Sequence, residues 1–214
     1  MAGQTLYTKS FLAGYDLFVL GFFCRFVWQC PSKHILDMYS RHISANHLDI
    51  GVGTGYFLDR CKFPSSEPRL GLMDINPDAL EVAGKRLSRY RPEIYRRNVM
   101  EPIEIDARGF DSIGLTHLLH CLPGTIKTKG IVFEYAGRLL NPGGIVFGST
   151  LLYSGGNANR AAKFFMDVDN GKGIMTNRED NLEGLEQVLR QHFSESSVEV
   201  VGCDALFWAR GPLP

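Results

Sequence analysis

A turn with three closely spaced glycines is the part of this 214-residue chain best suited to ligand binding. Gly51, Gly53 and Gly55 follow an apolar segment that ends at Ile50 and precede an amphipathic segment. Glycine lets the backbone turn sharply and approach a ligand closely, where a Cβ atom would collide. Because this turn joins a predicted strand to a predicted helix, a ligand bound there would meet free backbone N–H groups.

Two acidic residues stand at the ends of successive predicted strands beside this turn. Asp49 lies two residues before the first glycine, where a carboxylate would repel a pyrophosphate but could hold a cationic amino-acid group. Asp74 ends the second strand, where an acidic side chain suits the two hydroxyl groups of a ribose. Capping or turn formation is the simpler role for either aspartate. Their common position beside the glycine turn favours ligand binding.

The glycine spacing distinguishes two classes of nucleotide site. A dinucleotide fingerprint has the spacing G-x-G-x-x-G, whose last glycine allows close packing of the helix near a pyrophosphate. Here the spacing is G-x-G-x-G, and Tyr56 stands at the position of that last glycine. This departure, together with Asp49, disfavours a nicotinamide-dependent oxidoreductase, which remains an alternative that shares the fold.

Five segments occur in a characteristic order between about residue 45 and residue 152. They are the turn 49–55, the run 70–77 (LGLMDINP), the loop 98–102, the strand 110–115 with its tail, and the LNPGG turn before the fifth strand. In this order and spacing the chain resembles class I S-adenosylmethionine-dependent methyltransferases, especially the small single-domain enzymes of secondary metabolism. The final predicted hairpin fits the same family.

The resemblance implies S-adenosyl-L-methionine as cofactor, S-adenosyl-L-homocysteine as product, and no metal. In the family the glycine turn lies against the methionine part, the residue placed like Asp74 binds the ribose, and the residue placed like Ile75 packs on the adenine. The family often has Asp where this chain has Asn98, whose side-chain carbonyl can still accept the adenine N–H. The expected cofactor-binding residues are Asp49, Gly51, Gly53, Gly55, Asp74, Ile75, Asn76, Asn98, Val99 and Thr116.

Two histidines after the fourth predicted strand are the candidate catalytic residues. His117 and His120 lie where the carboxyl ends of parallel strands open a site, and a helical turn would place both on one face. A histidine with the usual pKa of about 6.5 can deprotonate a phenol, a thiol or an ammonium group. Hydrogen bonding in a tight turn is the alternative. No carboxylate or thiolate at ligand spacing accompanies them, so a metal site is not expected.

Aromatic residues are dense in the first thirty positions and predict a helical cap over residues 1–34, followed by the methyltransferase domain over 35–214. Tyr15 and Trp28 in the cap and Arg160 after the fifth strand are the candidate substrate contacts. Core packing of the aromatic residues and a solvated helix around Arg160 are the alternatives. An aromatic cap would exclude water and favour an apolar or aromatic methyl acceptor.

The elements that position these residues follow from the hydrophobic pattern. Apolar runs alternate with amphipathic segments after residue 31, which predicts an α/β fold. The expected architecture is a doubly wound, mostly parallel, seven-stranded Rossmann-like sheet that ends in an antiparallel hairpin, with an N-terminal helical cap. Helices are expected over 77–87, 128–140 and 182–193, with a turn at 141–144. Strands are expected near 47–50, 70–74, 94–97, 110–115, 145–152, 198–202 and 205–209.

Composition limits the classes of partner. The chain has 23 basic and 23 acidic residues, which disfavours a nucleic-acid partner. The apolar run 11–24 is too short for a membrane span of about 20 residues and contains Asp16. Five cysteines without metal-ligand spacing indicate reduced thiols in a cytoplasmic protein. The expected function is a methyltransferase acting on a small molecule, as a monomer or homodimer; a catalytically silent binding protein is the other alternative.

Overall fold

A single mixed sheet forms the centre of the protein, in a computed structural model that describes residues 16–105 and 109–213. Its strands are β1 (Asn46–Ile50), β2 (Arg69–Asp74), β3 (Glu93–Arg96), β4 (Phe110–Thr116), β5 (Leu140–Leu151), β6 (Phe193–Val201) and β7 (Asp204–Pro212). Their order across the sheet is β3-β2-β1-β4-β5-β7-β6. The first five strands are parallel, and β7 runs antiparallel to both β5 and β6. This confirms the expected doubly wound sheet with a terminal hairpin.

The helices lie on both faces of the sheet and bury two apolar clusters. They are α1 (Ser32–His42), α2 (Tyr56–Arg60), α3 (Pro77–Arg86), α4 (Ile126–Lys129), α5 (Ile131–Arg138), α6 (Arg160–Gly171) and α7 (Leu182–His192). The side chain of Asn76 caps α3 by accepting a hydrogen bond from the backbone of Asp78 at 2.9 Å. An asparagine cap followed by proline is a strong start signal, and the structure follows it.

The order in which strands are added to the sheet changes side between β1 and β4. Strands β2 and β3 are added on one side of β1, whereas β4 and β5 are added on the other. In a doubly wound sheet the loops after such a pair of strands diverge and leave a crevice at the carboxyl ends. The glycine turn after β1 and the histidine segment after β4 both enter this crevice.

Two predicted boundaries differ from the structure. The helix expected over 128–140 begins at Ile126 and is divided at Gly130 into α4 and α5. The turn expected at 141–144 lies inside β5, because Leu140 pairs with Phe110 and regular pairing resumes only at Ile145. A turn of four residues can thus loop out of a strand without ending its pairing, which local sequence does not reveal.

Strand β6 begins five residues earlier than the pattern predicts, at Phe193 rather than Val198. Its first half, SESS, is polar and mostly exposed, so it has no apolar alternation to mark it. Pairing with β7 extends it nonetheless, from Phe193 opposite Pro212. Backbone pairing with a neighbouring strand has outweighed a weak local signal.

A π-helix over Asp16–Val27 lies within the segment that the sequence predicts to be an N-terminal cap. Its Leu20, Cys24 and Val27 are buried in the same apolar cluster as α1. Asp16 ties the start of this helix to the body of the protein, because it forms an ion pair with Arg86 at 2.6 Å. Within the described residues, no helix is both long and apolar enough to cross a membrane. The five cysteines form no disulfide bond with one another.

Candidate active site

A cavity of about 340 Å³ opens at the carboxyl ends of β1, β2 and β4. The turn after each of these strands contributes to its wall, as the topology requires. Eleven of the residues singled out in the sequence line it: Asp49, Gly51, Gly53, Gly55, Asp74, Ile75, Asn76, Asn98, Val99, Thr116 and His117.

The glycine turn has left-handed backbone at all three glycines, with φ values of 77°, 51° and 72° at Gly51, Gly53 and Gly55. At Gly53 an added Cβ atom would meet nothing within 4 Å, so this position faces open space. At Gly55 a Cβ atom would come within 3.2 Å of Ala83 on α3. Gly53 therefore allows a ligand to approach the backbone, and Gly55 allows close packing of a helix.

Asp49 is held by two buried side chains that the sequence did not indicate. The hydroxyl group of Tyr39 donates to its Oδ2 at 2.7 Å, and Nε2 of His47 lies 3.4 Å from the same oxygen. Burial and the charge of Asp49 raise the pKa of Tyr39 well above its usual value, so its hydroxyl remains a donor. Both contacts fall on Oδ2, which leaves Oδ1 of this carboxylate for a ligand.

The carboxyl group of Asp74 lies at the end of β2, among backbone donors. Its Oδ1 accepts a hydrogen bond from the backbone N–H of Asn76 at 2.8 Å. Burial raises the pKa of Asp74 to about 6, although the backbone N–H groups of Asn76, Gly53 and Ile75 favour the ionised form. This carboxyl group therefore changes charge close to neutral pH, unlike an ordinary aspartate.

Part of the cavity wall is apolar, and we call it the slot. Ile75, Ala79 and Val99 contribute to it. Asn98 lines the same cavity, and its Oδ1 accepts a hydrogen bond from the backbone of Met100 at 3.1 Å. A carbonyl oxygen has two lone pairs, so this Oδ1 can accept a second hydrogen bond. The slot has the composition of a site for a flat aromatic base with a polar edge.

Thr116 places a buried hydroxyl group on the cavity wall. The residue is 8% exposed, and its hydroxyl group interacts with that of Tyr39, a hydrogen bond that opposes the larger effect of burial on the pKa of Tyr39. A hydroxyl group that donates one hydrogen bond keeps two lone pairs, so it can still accept from a ligand.

His117 lies on the cavity wall with a strained backbone. Its φ of 53° is left-handed, and its N–H donates to the backbone of Ser149 at 2.8 Å. Its Nε2 is 2.6 Å from Oδ2 of Asp204, the first residue of β7. Left-handed conformations of residues other than glycine are uncommon and cluster at functional sites.

His120 does not line this cavity, although its ring centroid lies 5.6 Å from that of His117. It is 5% exposed, and its Nδ1 accepts a hydrogen bond from the backbone of Leu151 at 3.2 Å. Burial lowers the pKa of His120 well below its usual value, so it is neutral. The spacing of three predicted a common face, but only His120 lies within the 3₁₀ turn Leu119–Cys121, and the left-handed backbone of His117 precedes that turn.

The candidate substrate contacts are distributed differently from the expectation. Tyr15 lies outside the described residues. Trp28 is 4% exposed and packs against Phe23, and it does not line the cavity. Arg160 is the exposed first residue of α6 and is also absent from the wall. The position of Trp28 agrees with the alternative of core packing, and that of Arg160 agrees with the alternative of a solvated helix.

Part of the wall comes from a loop that the sequence analysis did not single out. Gly173 and Thr176, between α6 and α7, line the cavity. The buried ammonium group of Lys129 holds this loop, because it donates to the backbone oxygen of Thr176 at 2.9 Å and to Asp180 at 2.5 Å. A buried lysine paired with a residue about fifty positions away leaves no signal in local sequence.

The sheet order and the cavity define the class of this protein. Dinucleotide-binding dehydrogenases have the order 3-2-1-4-5-6, whereas here an antiparallel β7 lies between β5 and β6. That order, with a glycine turn after β1 and an acidic residue at the end of β2, defines a class I methyltransferase fold. Among residues 16–105 and 109–213 no group of three or more His, Cys, Asp or Glu side chains could hold a metal ion.

Comparison with known proteins shows the family. A family model described as a methyltransferase domain matches residues 48–146. A demethylluteothin O-methyltransferase from Streptomyces thioluteus is 41% identical over 207 residues, which cover 97% of this chain and 90% of that protein. A physcion biosynthesis cluster O-methyltransferase from Aspergillus chevalieri is 35% identical over 212 residues, covering 98% and 95%. The chain belongs to the S-adenosylmethionine-dependent methyltransferase family.

Solved structures show the same fold at low sequence identity. The complex of DhpI with S-adenosylhomocysteine (SAH) has a TM-score of 0.71 and 15% identity, covering 100% of this chain and 97% of that one. The N-methyltransferase NodS from Bradyrhizobium japonicum WM9, also with SAH, has a TM-score of 0.62 and 17% identity, covering 97% and 100%.

The residues present fit S-adenosylmethionine. Gly53 leaves room against the backbone, Asp74 offers a carboxylate at the end of β2, and Thr116 places a buried hydroxyl group on the cavity wall. The protein is an S-adenosylmethionine-dependent methyltransferase acting on a small molecule. This confirms the expected cofactor and reaction, and it disfavours the oxidoreductase and the catalytically silent protein.

Proposed function

We propose that this protein methylates a hydroxyl group on an apolar or aromatic metabolite, with His117 as the general base. The observation that carries the proposal is the position of His117, on the cavity wall and bound to a buried carboxylate. The apolar residues Leu20, Leu118 and Leu122 line the same cavity and favour an apolar acceptor. The two O-methyltransferases of secondary metabolism described above support a hydroxyl group as the acceptor.

In the proposed cofactor site each predicted residue has a distinct role. The free Oδ1 of Asp49 and the hydroxyl group of Thr116 contact the methionine part, which lies against Gly51, Gly53 and Gly55. Asp74 accepts hydrogen bonds from the ribose hydroxyl groups. Ile75 and Val99 hold the adenine, Asn98 accepts its amino group, and Asn76 maintains the backbone at the start of α3.

The cofactor supplies a methyl group already activated by its sulfonium sulfur. The residues of this chain therefore need only align the acceptor, exclude water and remove one proton. His117 takes that proton from the acceptor hydroxyl group as the new O–CH₃ bond forms. The apolar wall keeps the reacting atoms away from water, which strengthens every electrostatic contact among them.

The first test is a ligand panel read by thermal unfolding. SAH at about 100 times its Kd stabilises a protein by roughly 2.7 kcal/mol, or about 5–10 °C in Tm for this size. We expect this shift with SAH and S-adenosylmethionine and none with NAD. We then expect mass spectrometry to show methylation of a phenol such as 2-naphthol. A shift with NAD alone would contradict the cofactor assignment.

A nitrogen acceptor is the second candidate, because one relative has that activity in its name. The N-methyltransferase vrtF from Penicillium aethiopicum is 31% identical over 189 residues, covering 86% of this chain and 78% of that protein. Comparing 2-naphthol with 2-naphthylamine separates the two, since the rings are the same. Methylation of the amine alone would favour this second function.

We also propose that residues 1–34 form a lid over the cofactor, with 35–214 as the catalytic domain. Leu20 lines the cavity, and Asp16 binds both Arg86 and the hydroxyl group of Thr54 in the glycine turn, each at 2.6 Å. The lid is thus anchored directly to the turn that contacts the cofactor.

Removing this anchor should weaken cofactor binding. A partly exposed ion pair contributes up to about 1 kcal/mol, so we expect Asp16→Ala to raise the Kd of SAH by roughly three- to fivefold. The control is Glu134→Ala, which removes an exposed pair with Arg138 on α5. Calorimetry measures both variants, and equal affinities in the two would contradict a lid function for this segment.

The partners and location follow from composition. We place the protein in the cytoplasm, because five unpaired thiols suit a reducing compartment. The balanced charge favours an enzyme without a nucleic-acid partner. Light scattering of the purified protein distinguishes a monomer from a homodimer.

A further inference from the structure

A buried carboxylate from a distant part of the chain contacts the proposed base. Asp204 is fully buried at the start of β7, and its Oδ2 lies 2.6 Å from Nε2 of His117, which is 87 residues away in sequence. Asp204 reaches this position because it pairs with Leu151 at the end of β5, and β5 in turn pairs with β4. The last strand in the chain, β7, thus contributes one side chain, Asp204, next to the candidate active site.

We propose that Asp204 is the positioning residue for His117, an inference that rests on the proposed function. An ionised carboxylate accepts hydrogen bonds only, so the ring nitrogen that faces it carries the hydrogen. Nε2 of His117 is therefore the protonated nitrogen, and Nδ1 keeps its lone pair. No hydrogen bond to Nδ1 occurs among residues 16–105 and 109–213, which leaves this atom available to the acceptor.

The proton balance of the reaction agrees with this arrangement. The O–H bond of the acceptor breaks, its proton passes to Nδ1 of His117, and its oxygen forms the bond to the methyl carbon. The electron pair of the broken C–S bond stays on the sulfur. His117 becomes an imidazolium ion directly beside the Asp204 carboxylate, which stabilises that charge in a site with little water.

The surroundings of Asp204 make His117 its natural partner. The titratable groups around the carboxylate are the thiols of Cys24, Cys30 and Cys203, and its charge contributes to raising the pKa of each. The pKa of Cys203 rises to about 12, so these thiols stay neutral. Within the described residues, His117 is the one basic side chain in ion-pair contact with Asp204.

The other neighbouring histidine does not compete with Asp204 for the charge of the His117 imidazole. The ring of His120 is 5.6 Å away, but burial lowers its pKa so far that it is neutral. The thiol of Cys30 also hydrogen-bonds to the Asp204 carboxylate, and burial raises the pKa of this thiol, so it stays a neutral donor. Asp204 therefore has two described side-chain partners, a neutral thiol and the imidazole of His117.

The test reads the imidazole directly by NMR of protein labelled with ¹⁵N-histidine. The His117 signals are assigned by their absence in His117→Asn. In the wild type above neutral pH we expect Nε2 to be protonated and Nδ1 to be unprotonated. In Asp204→Asn, whose amide can also donate, we expect Nδ1–H to appear. Asp180→Asn is the matched control, a second buried carboxylate, and should leave the His117 signals unchanged.

Kinetics with 2-naphthol, or the phenol that the acceptor panel identifies, completes the test. Asp204→Asn should lower kcat by about 10²-fold while the KM and the affinity for SAH change less than about threefold. A wild-type spectrum with Nδ1 protonated overturns the inference and needs no variant to fold. Loss of kcat in His117→Asn but not in Asp204→Asn also overturns it, and leaves the proposed function intact. Full kcat in His117→Asn would instead contradict the proposed base.

Discussion

Replacing His117 with asparagine is expected to lower kcat by about 10²–10⁴-fold, the usual contribution of a positioned general base. The affinity for SAH should stay within about threefold, because the proposed cofactor contacts come from other residues. The left-handed backbone of His117 also suits asparagine, which tolerates that conformation better than most residues. Steady-state kinetics measures the change in kcat, and calorimetry on the same preparation measures the affinity for SAH.

His120→Ala is the matched control for this variant. His120 accepts a backbone hydrogen bond from Leu151 and does not line the cavity. We expect a loss of about 1–3 kcal/mol in the free energy of unfolding, because a buried N–H loses its acceptor. The kcat of the folded fraction should remain near that of the wild type. A large loss of kcat in this variant with full activity in His117→Asn would reverse the two roles.

Replacing Asp74 with alanine is expected to raise the Kd of SAH on the order of 10²-fold or more. Each hydrogen bond from a ribose hydroxyl group to a charged carboxylate contributes about 1.5–3 kcal/mol, and the proposed site makes two of them. The fold should persist, since Asp74 ends a strand and its described hydrogen bonds come from the backbone N–H groups of Asn76, Ile75 and Gly53. Unchanged affinity would remove the basis for the ribose assignment.

The affinity for SAH should also depend on pH through Asp74. Burial raises the pKa of this carboxyl group to about 6 in the unliganded protein, so the group is ionised above that pH and neutral below it. The ionised form is the better acceptor for ribose hydroxyl groups. Affinity should therefore be constant above about pH 7 and fall by up to about tenfold per unit below about pH 6.

Calorimetry between about pH 5 and pH 8 measures this dependence, and Asp74→Asn is its control. Asparagine keeps the shape of the side chain but does not titrate in this range. We expect weaker binding with little change across the series. The same steep fall in the asparagine variant would show that another group is responsible.

The cofactor half of the site could be predicted because its residues lie in short segments at strand ends. Asp49 and the three glycines lie within seven consecutive positions, and Asp74 is followed directly by Ile75 and Asn76. Turn geometry constrains such segments locally, so residue type and spacing carry the information. All ten cofactor-binding candidates line the cavity, although their roles toward the cofactor remain predictions.

The acceptor half depends on contacts between distant segments. Trp28 and Arg160 have residue types that suit a pocket, yet one is buried in the core and the other is exposed on α6. Gly173 and Thr176 line the cavity instead, on a loop held by the buried ion pair of Lys129 and Asp180. An aromatic residue in an amphipathic segment has the same pattern whether it faces a core or a cavity, so local sequence cannot separate the two.

The sequence by itself determined the sheet, the family resemblance and the cofactor class, because strand periodicity and turn chemistry are local properties. Only the tertiary structure shows that His117 lines the cavity and His120 does not, although they differ by three positions and share one residue type. It also shows the contact from β7, which runs antiparallel beside β5 and brings Asp204 to Nε2 of His117. Pairing between strands sets that contact, and it acts across 87 residues that no local pattern connects.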